Sequence, residues 1–316
     1  MRILIYGFGR MGITHFAILK ALNQNIKFTI VEPNFILRNL LSKNINANFQ
    51  KDDSQLDTSF DLTLITTPPF IHVELLKRCI ARGDDKIFIE KPFGGFSNIQ
   101  TEYIYENKQI YIGYVYRFNP CVEWIKSNIH PKDIVSIKGQ FLSNTLTKKP
   151  EGWRNGKFSG VLNEMGSHVI DLIQYITNEH EFNVLSVSKE SVISDNDDIV
   201  KAELITNNDI SVLLDFNWVK KEIRKPIFGL EIIMKDGVCY VIDQQQIKIY
   251  DDKENLVNKI SVTNINETVP FYLRGVDFTK QMDTLLKSGE KMTTIKESLA
   301  VNKLMNQIYN YENNTR

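Results

Sequence analysis

A chain of 316 residues, 42% of them hydrophobic, can bury a full core and divides more readily into two domains than it forms one. Its 38 Lys and Arg balance 38 Asp and Glu, which excludes a global field drawing it onto nucleic acid or an anionic membrane surface. The expected partner is therefore a small molecule or another copy of the chain.

The opening strand, Arg2–Tyr6, has too few apolar residues for a signal-peptide core, and no apolar run reaches bilayer length, so a cytoplasmic protein without membrane association is expected. Cys79, Cys121 and Cys239 are widely spaced and lack neighbouring His clusters, which reads as free thiols and no metal site. In the first third, short apolar runs alternate with helical periodicity. Strands are expected at Arg2–Tyr6, Lys27–Val31, Ile45–Phe49, Asp61–Ile65, Lys86–Ile89 and Ile110–Gly113. Helices are expected around Ile13–Ala21 and Val73–Ile80. This is the pattern of an α/β Rossmann fold, a doubly wound parallel sheet with strand order 3-2-1-4-5-6.

After Pro120 comes one helical stretch and then longer Val-, Ile- and aromatic-rich segments broken by Asn, Asp and Gly. Strands are expected at Ile134–Phe141, Leu185–Val192, Val200–Thr206, Ile210–Asn217, Gly229–Met234, Val238–Ile242 and Ile247–Tyr250, with a hairpin turn at Lys235-Asp236-Gly237. Asp277–Leu286 and Ile295–Tyr309 return to helical spacing. The expected division is residues 1–119 as a dinucleotide-binding domain and 120–316 as an α+β domain. The second would carry a large, mostly antiparallel, open-faced sheet.

Gly7-Phe8-Gly9-Arg10-Met11-Gly12 follows an apolar strand and opens a helix, the context that makes a glycine pattern a dinucleotide fingerprint. The glycines serve a tight turn, close approach of a pyrophosphate and helix-to-strand packing. Glu32, 20 residues past Gly12, ends the second strand, where a carboxylate meets the adenosine ribose hydroxyls and repels a 2′-phosphate. NAD is therefore expected over NADP, with Arg38 the residue that could soften the preference. Thr66, Thr67, Pro68 and His72 leave strand four, so their backbone is expected to border the cofactor, and Thr67 or His72 is a candidate cap for the next helix. Glu90-Lys91-Pro92 leaves strand five, which places Lys91 on the nicotinamide side, where a cation can stabilise a developing alkoxide.

If a helix begins near Glu164, then Glu164, His168, Asp171 and Tyr175 share one face, within roughly 60° at 3.6 residues per turn. Val169, Ile170, Leu172, Ile173 and Ile176 fill the rest, so the polar strip meets a cavity, a partner or water. An acid beside an imidazole suits general base work.

Taken in order, these strings resemble the Gfo/Idh/MocA family of nicotinamide-dependent sugar and cyclitol oxidoreductases. The residues that carry the resemblance are the glycine pattern, Thr67-Pro68 with His72, Glu90-Lys91-Pro92, Gly113-Tyr114 with Arg117-Phe118-Asn119-Pro120, Trp153-Arg154, and Gly160 through Asp171. The resemblance implies a dehydrogenase or reductase acting on CH–OH groups, with Lys91 and His168 as the catalytic pair and Asp171 in the substrate pocket. It also implies a homodimer or homotetramer formed through the second sheet. Arg117, Asn119, Trp153, Arg154 and Tyr272 match pocket positions, or serve packing. Where the family usually has Asp this chain has Glu164, which then either supports His168 or touches substrate. The Trp153-Arg154 stretch is similar to the subgroup that handles nucleotide-linked sugars, whose diphosphate or carboxylate an Arg would pair bidentately. Rival expectations are an NAD-dependent glycosidase that oxidises its substrate transiently, and a dinucleotide-binding sensor without catalysis.

Overall fold

The computed structural model describes residues 1–93, 109–156, 159–261 and 275–312, and the chain forms two compact units. The first comprises Met1–Val115 with Val269–Ser298, the second Tyr116–Thr268 with Leu299–Arg316. The expected boundary at 119/120 thus falls four residues past the first crossover, and the chain returns to its first unit once more before ending.

The first unit is built on β1 (Arg2–Tyr6), β2 (Lys27–Val31), β3 (Asn48–Gln50), β4 (Leu62–Ile65), β5 (Lys86–Ile89) and β6 (Gln109–Ile112), paired in parallel in the order 3-2-1-4-5-6. Ile3, Leu4, Ile5, Leu62, Leu64 and Ile87 are wholly buried, as central strands covered on both faces must be. Helix α1 (Arg10–Leu22) follows β1, α2 (Phe35–Ser42) follows β2, and α3 (His72–Arg82) lies between β4 and β5. The third strand begins later than the expected Ile45, because Ile45 closes the end of α2 by donating its N–H to Leu41. From the returning segment, β15 (Thr293–Thr294) pairs antiparallel with β6, and α6 (Val276–Leu286) packs on α1.

The second unit has α4 (Pro120–Asn128) and α5 (Ser167–Thr177), and ends with α7 (Ile295–Tyr309), whose first turn belongs to the first unit. Its eight-stranded sheet runs β14-β13-β12-β11-β7-β10-β9-β8. These strands are β7 (Ile134–Leu142), β8 (Phe182–Glu190), β9 (Ile199–Thr206), β10 (Ser211–Asn217), β11 (Ile227–Met234), β12 (Cys239–Ile242), β13 (Gln246–Tyr250) and β14 (Leu256–Ser261). All neighbours are antiparallel except β7 and β10. Helix α5 crosses β7 at Gly139, where a side chain would collide with Val169 and Ile173. Ile137, Phe141, Val212, Leu214 and Ile232 make the covered face, whereas Leu213 and Ile233 stand exposed on the other. The Lys235-Asp236-Gly237 hairpin forms as expected, with Gly237 at φ +85°. Strand β8 stops at Glu190, short of the expected Val192, because Asp198 captures the N–H groups of Val192, Ile193 and Ser194. It also bulges at Leu185, between Val184 and Ser186.

Candidate active site

In the first unit, the chain turns out of β1 at Gly7, which adopts φ +81° and donates its N–H to Val31 O at 2.9 Å. Gly12 has no room for a side chain, since a Cβ would lie 2.2 Å from Gly7 O, so the helix can approach the loop. Gly9, the N-cap of α1, faces the opposite condition: nothing lies within 4 Å of where its Cβ would be, and no side chain caps the helix there. Open space thus sits at the electropositive end of a helix, the setting for an anion. Arg10 and Met11 form the first turn of that helix.

Glu32 is buried, and its two oxygens accept the N–H groups of Phe8 (2.8 Å) and Asn34 (2.9 Å). One carboxylate therefore fastens the glycine loop to the end of β2. Each oxygen retains a lone pair for a further hydroxyl donor. Arg38 spends its Nη1 on the carbonyls of Glu32 (2.7 Å) and Pro33 (3.1 Å). The Thr66 hydroxyl is shared between the carbonyls of Tyr6 and Gly7, so it too braces the loop.

Neither Thr67 nor His72 caps α3 through its side chain. The His72 ring turns back instead, and its Nε2 meets Thr67 O at 2.8 Å. A carbonyl only accepts, so Nε2 carries the proton. Burial pushes the imidazole down to about 4, which keeps it neutral at pH 7. Pro68 precedes a short 3₁₀ turn, Pro69–Ile71, that leads into the helix.

Lys91 follows β5 by two residues and is partly exposed. Its predecessor Glu90 is held on three sides. The Glu90 N–H donates to Ile65 O, its Oε1 receives His15 Nε2 at 2.6 Å, and its Oε2 would be 3.3 Å from a Cβ at Gly113. His15, from the middle of α1, is wholly buried and lies edge-on to Phe88. Sequence reasoning misses it; a histidine inside an apolar helical stripe is the available signal, since such a ring needs a partner.

In the second unit, the helix carrying His168 does not begin as a regular α-helix. Leu162–Gly166 form a π-turn, and α5 starts at Ser167. The shared face deduced from 3.6 residues per turn therefore applies to His168, Asp171 and Tyr175 but not across the turn to Glu164, which is partly exposed. That face is covered by Tyr116 and Arg117, rather than open to water. The His168 ring, in a residue 8% exposed, stands edge-on to Tyr116 at 4.8 Å, and Tyr116 stacks on Phe228 at 4.1 Å.

Arg117 and Asp171 engage each other: Nε to the two carboxylate oxygens at 3.2 and 3.0 Å, Nη2 to Oδ1 at 2.7 Å. Both are buried, and the guanidinium also lies over the Tyr175 ring. Asn119 caps α4, accepting from Cys121 N–H and donating to Gln244 O. Trp153 and Arg154 lie in the short turn Gly152–Asn155, and Tyr272 falls outside the described residues. Among the described residues no His, Cys, Asp and Glu group could hold a metal ion, and no helix is long and apolar enough to cross a membrane.

Residues 1–102 match the model of the Gfo/Idh/MocA group, described as an oxidoreductase family with an NAD-binding Rossmann fold. No curated protein matches the sequence. Among solved structures, the chain is similar to levoglucosan dehydrogenase in complex with NADH and levoglucosan, at 17% identity over 96% of this chain and 94% of that one, with a TM-score of 0.80. It is also similar to an oxidoreductase domain protein from Kribbella flavida (16% identity, 97% and 95% covered, TM-score 0.79). A dehydrogenase from Clostridium difficile gives 18% identity, 98% and 99% covered, and a TM-score of 0.74. At these identities the structural likeness speaks for the fold across both units. Residues 1–102 are thus similar to the NAD-binding Rossmann domain of the Gfo/Idh/MocA oxidoreductases, and the whole chain has the fold of these solved structures.

Proposed function

We propose that the chain is an NAD-dependent dehydrogenase or reductase acting on a hydroxyl or keto carbon of a sugar or nucleotide-linked sugar. The observation that carries this reading is the carboxyl edge of the first sheet. There an open glycine loop, a buried carboxylate at Glu32 and Lys91 after β5 occupy the edge where α/β sheets take their ligands. The residues fit a dinucleotide. Gly7 to Gly12 would take its phosphates, Glu32 the adenosine ribose, and Thr66, Thr67, Pro68, Glu90 and Lys91 the nicotinamide half.

Bound nicotinamide supplies a hydride acceptor or donor. The rest falls to the chain. His168 takes the proton of the substrate hydroxyl, or returns it in the reverse direction, and the Lys91 ammonium steadies the oxyanion. Glu164 supports His168 or contacts substrate. Arg117, Asp171 and Asn119, whose polar atoms engage other residues of the second unit, are assigned to holding the frame of the substrate site. Trp153, Arg154 and Tyr272 are proposed for substrate contact. A structural neighbour named for a sugar-derived substrate supports the substrate class. The exposed Leu213 and Ile233 on the second sheet support assembly into a homodimer or homotetramer through that face.

The test is absorbance at the NADH band while purified chain and NAD are offered a panel of free sugars, cyclitols and nucleotide sugars. A substrate-dependent rise is expected, and it is lost in His168→Ala and in Lys91→Ala. Turnover within a few-fold of the parent in both variants overturns the assigned roles. Substrate breakdown without net NADH would favour the glycosidase reaction.

A further inference from the structure

The helix that presents His168 is capped by a residue far away in sequence. Asp197, in the loop between β8 and β9, accepts the Val161 N–H on its main-chain oxygen and the Leu162 N–H on Oδ2, both at 2.8 Å. The Tyr309 hydroxyl, at the end of α7, donates to Oδ1 of the same carboxylate. Gly160 lies directly against it: a Cβ there would sit 1.8 Å from Oδ1.

The loop itself is fixed by the neighbouring Asp198. Its Oδ2 accepts three consecutive N–H groups, from Val192, Ile193 and Ser194, and its Oδ1 accepts the Ser194 hydroxyl and the Trp218 indole. Asp197 thus reaches the helix start from a rigid base.

The first N–H groups of a helix need acceptors, and no side-chain cap is made at Val161, which precedes the π-turn. Asp197 supplies two of them, its main-chain oxygen for Val161 and its Oδ2 for Leu162. The π-turn Leu162–Gly166 begins directly after this anchor and is closed by the Ser167 N–H on Leu162 O. Its far end is set by the packing of Val169 and Ile173 on β7. With both ends fixed, the extra residue has to be absorbed between them, and single π-turns of this kind occur often at functional sites.

We propose that Asp197 is a positioning residue for His168: by anchoring Val161 and Leu162 it maintains the π-turn and so sets the rotation at which the imidazole meets Tyr116. Release of that end lets the turn close as ordinary α-helix and swings the residues around Gly166 to His168. The importance of this for catalysis rests on the reading of His168 as the base. The orientation of the ring can be measured without substrate or cofactor.

The experiment is ¹H–¹³C NMR of the full chain labelled at histidine Cε1, with His168 assigned by its loss in His168→Gln. The edge-on Tyr116 ring displaces the His168 signal from that of a free histidine. In Asp197→Ala this signal moves toward the free position, while His130 and His180, in the same unit, stay in place. Asp197→Asn retains an acceptor for Leu162 and restores the parental signal. Tyr309→Phe, which leaves both backbone bonds intact, keeps the signal near the parental position, and Gly160→Ala, whose methyl displaces the carboxylate, decides if Asp197→Ala does not fold. An unmoved His168 signal in folded Asp197→Ala, or in Gly160→Ala where only that variant folds, overturns the proposal. Neither result depends on a sugar being oxidised, so failure of the proposed activity stays distinguishable from failure of this inference.

Discussion

His15 and Glu90, 75 residues apart, meet through Nε2 and Oε1 at 2.6 Å in the interior of the first unit. The pair joins the helix after the glycine loop to the residue preceding Lys91, so the glycine loop and the lysine turn of one sheet edge share a brace. His15→Leu leaves the Glu90 carboxylate without that donor and is expected to destabilise the chain by about 1–3 kcal/mol. His15→Gln, which can still donate, should recover part of it. Urea unfolding of both variants checks this; equal stability of the leucine variant and the parent contradicts it.

Glu32 gives a cofactor prediction. Glu32→Ala frees the Phe8 N–H and removes the proposed ribose acceptor, which should weaken NADH binding about tenfold, at ~1.4 kcal/mol. The loss of a negative charge should narrow the preference against NADPH. Fluorescence titration with both nucleotides measures the two effects separately.

The Arg117 and Asp171 pair is buried, so breaking one side is costly. Asp171→Ala leaves a guanidinium in the core of the second unit and should destabilise the protein by about 3–5 kcal/mol. Replacing both, as Arg117→Met with Asp171→Leu, should restore most of that stability, as read from denaturant midpoints.

His72 predicts a pH dependence. Its folded pKa of about 4 lies below the ordinary histidine value of 6.5. Between those two values the unfolded chain holds a proton that the folded one refuses, so stability falls as pH drops from 6.5 toward 4. The fall amounts to roughly 3 kcal/mol at most. His72→Leu should flatten that part of the stability profile relative to the parent.

Gly160→Ala should reproduce Asp197→Ala, since the added methyl competes with the carboxylate for the same space. The His168 NMR signal is the readout, and a parental position in a folded Gly160→Ala would contradict the crowding.

The strands along the carboxyl edge are legible because each is a short, mostly apolar run with little alternative. Ile3-Leu4-Ile5 has no polar face to present, and in Leu62–Ile65 the one polar residue, Thr63, is buried with its hydroxyl on Asp84. Strand β14 escaped because Leu256–Ser261 lies largely exposed at the sheet's end, so burial imposed no alternation on it. Two residues of β15 carry no period at all. Lys91 and His168 stood out because their neighbouring strings form a recognisable motif. Asp197 and His15 did not, since their importance lies in contacts made across 35 and 75 residues that no local pattern encodes. The π-turn was invisible for a related reason: a remote carboxylate anchors its start, while the spacing of apolar residues suggested an uninterrupted helix.

The late return of the chain to its first sheet bears on biosynthesis. The outer edge of β6 stays uncovered until Thr293 and Thr294 arrive, and α1 lacks α6 until residues 276–286 are made. A ribosome that has released the entire glycine loop and Lys91 has therefore not yet delivered the pieces that finish that lobe. Nascent chains should acquire protease resistance in it only after residue 294 has emerged, and an isolated amino-terminal third should be a poor nucleotide binder however intact its fingerprint.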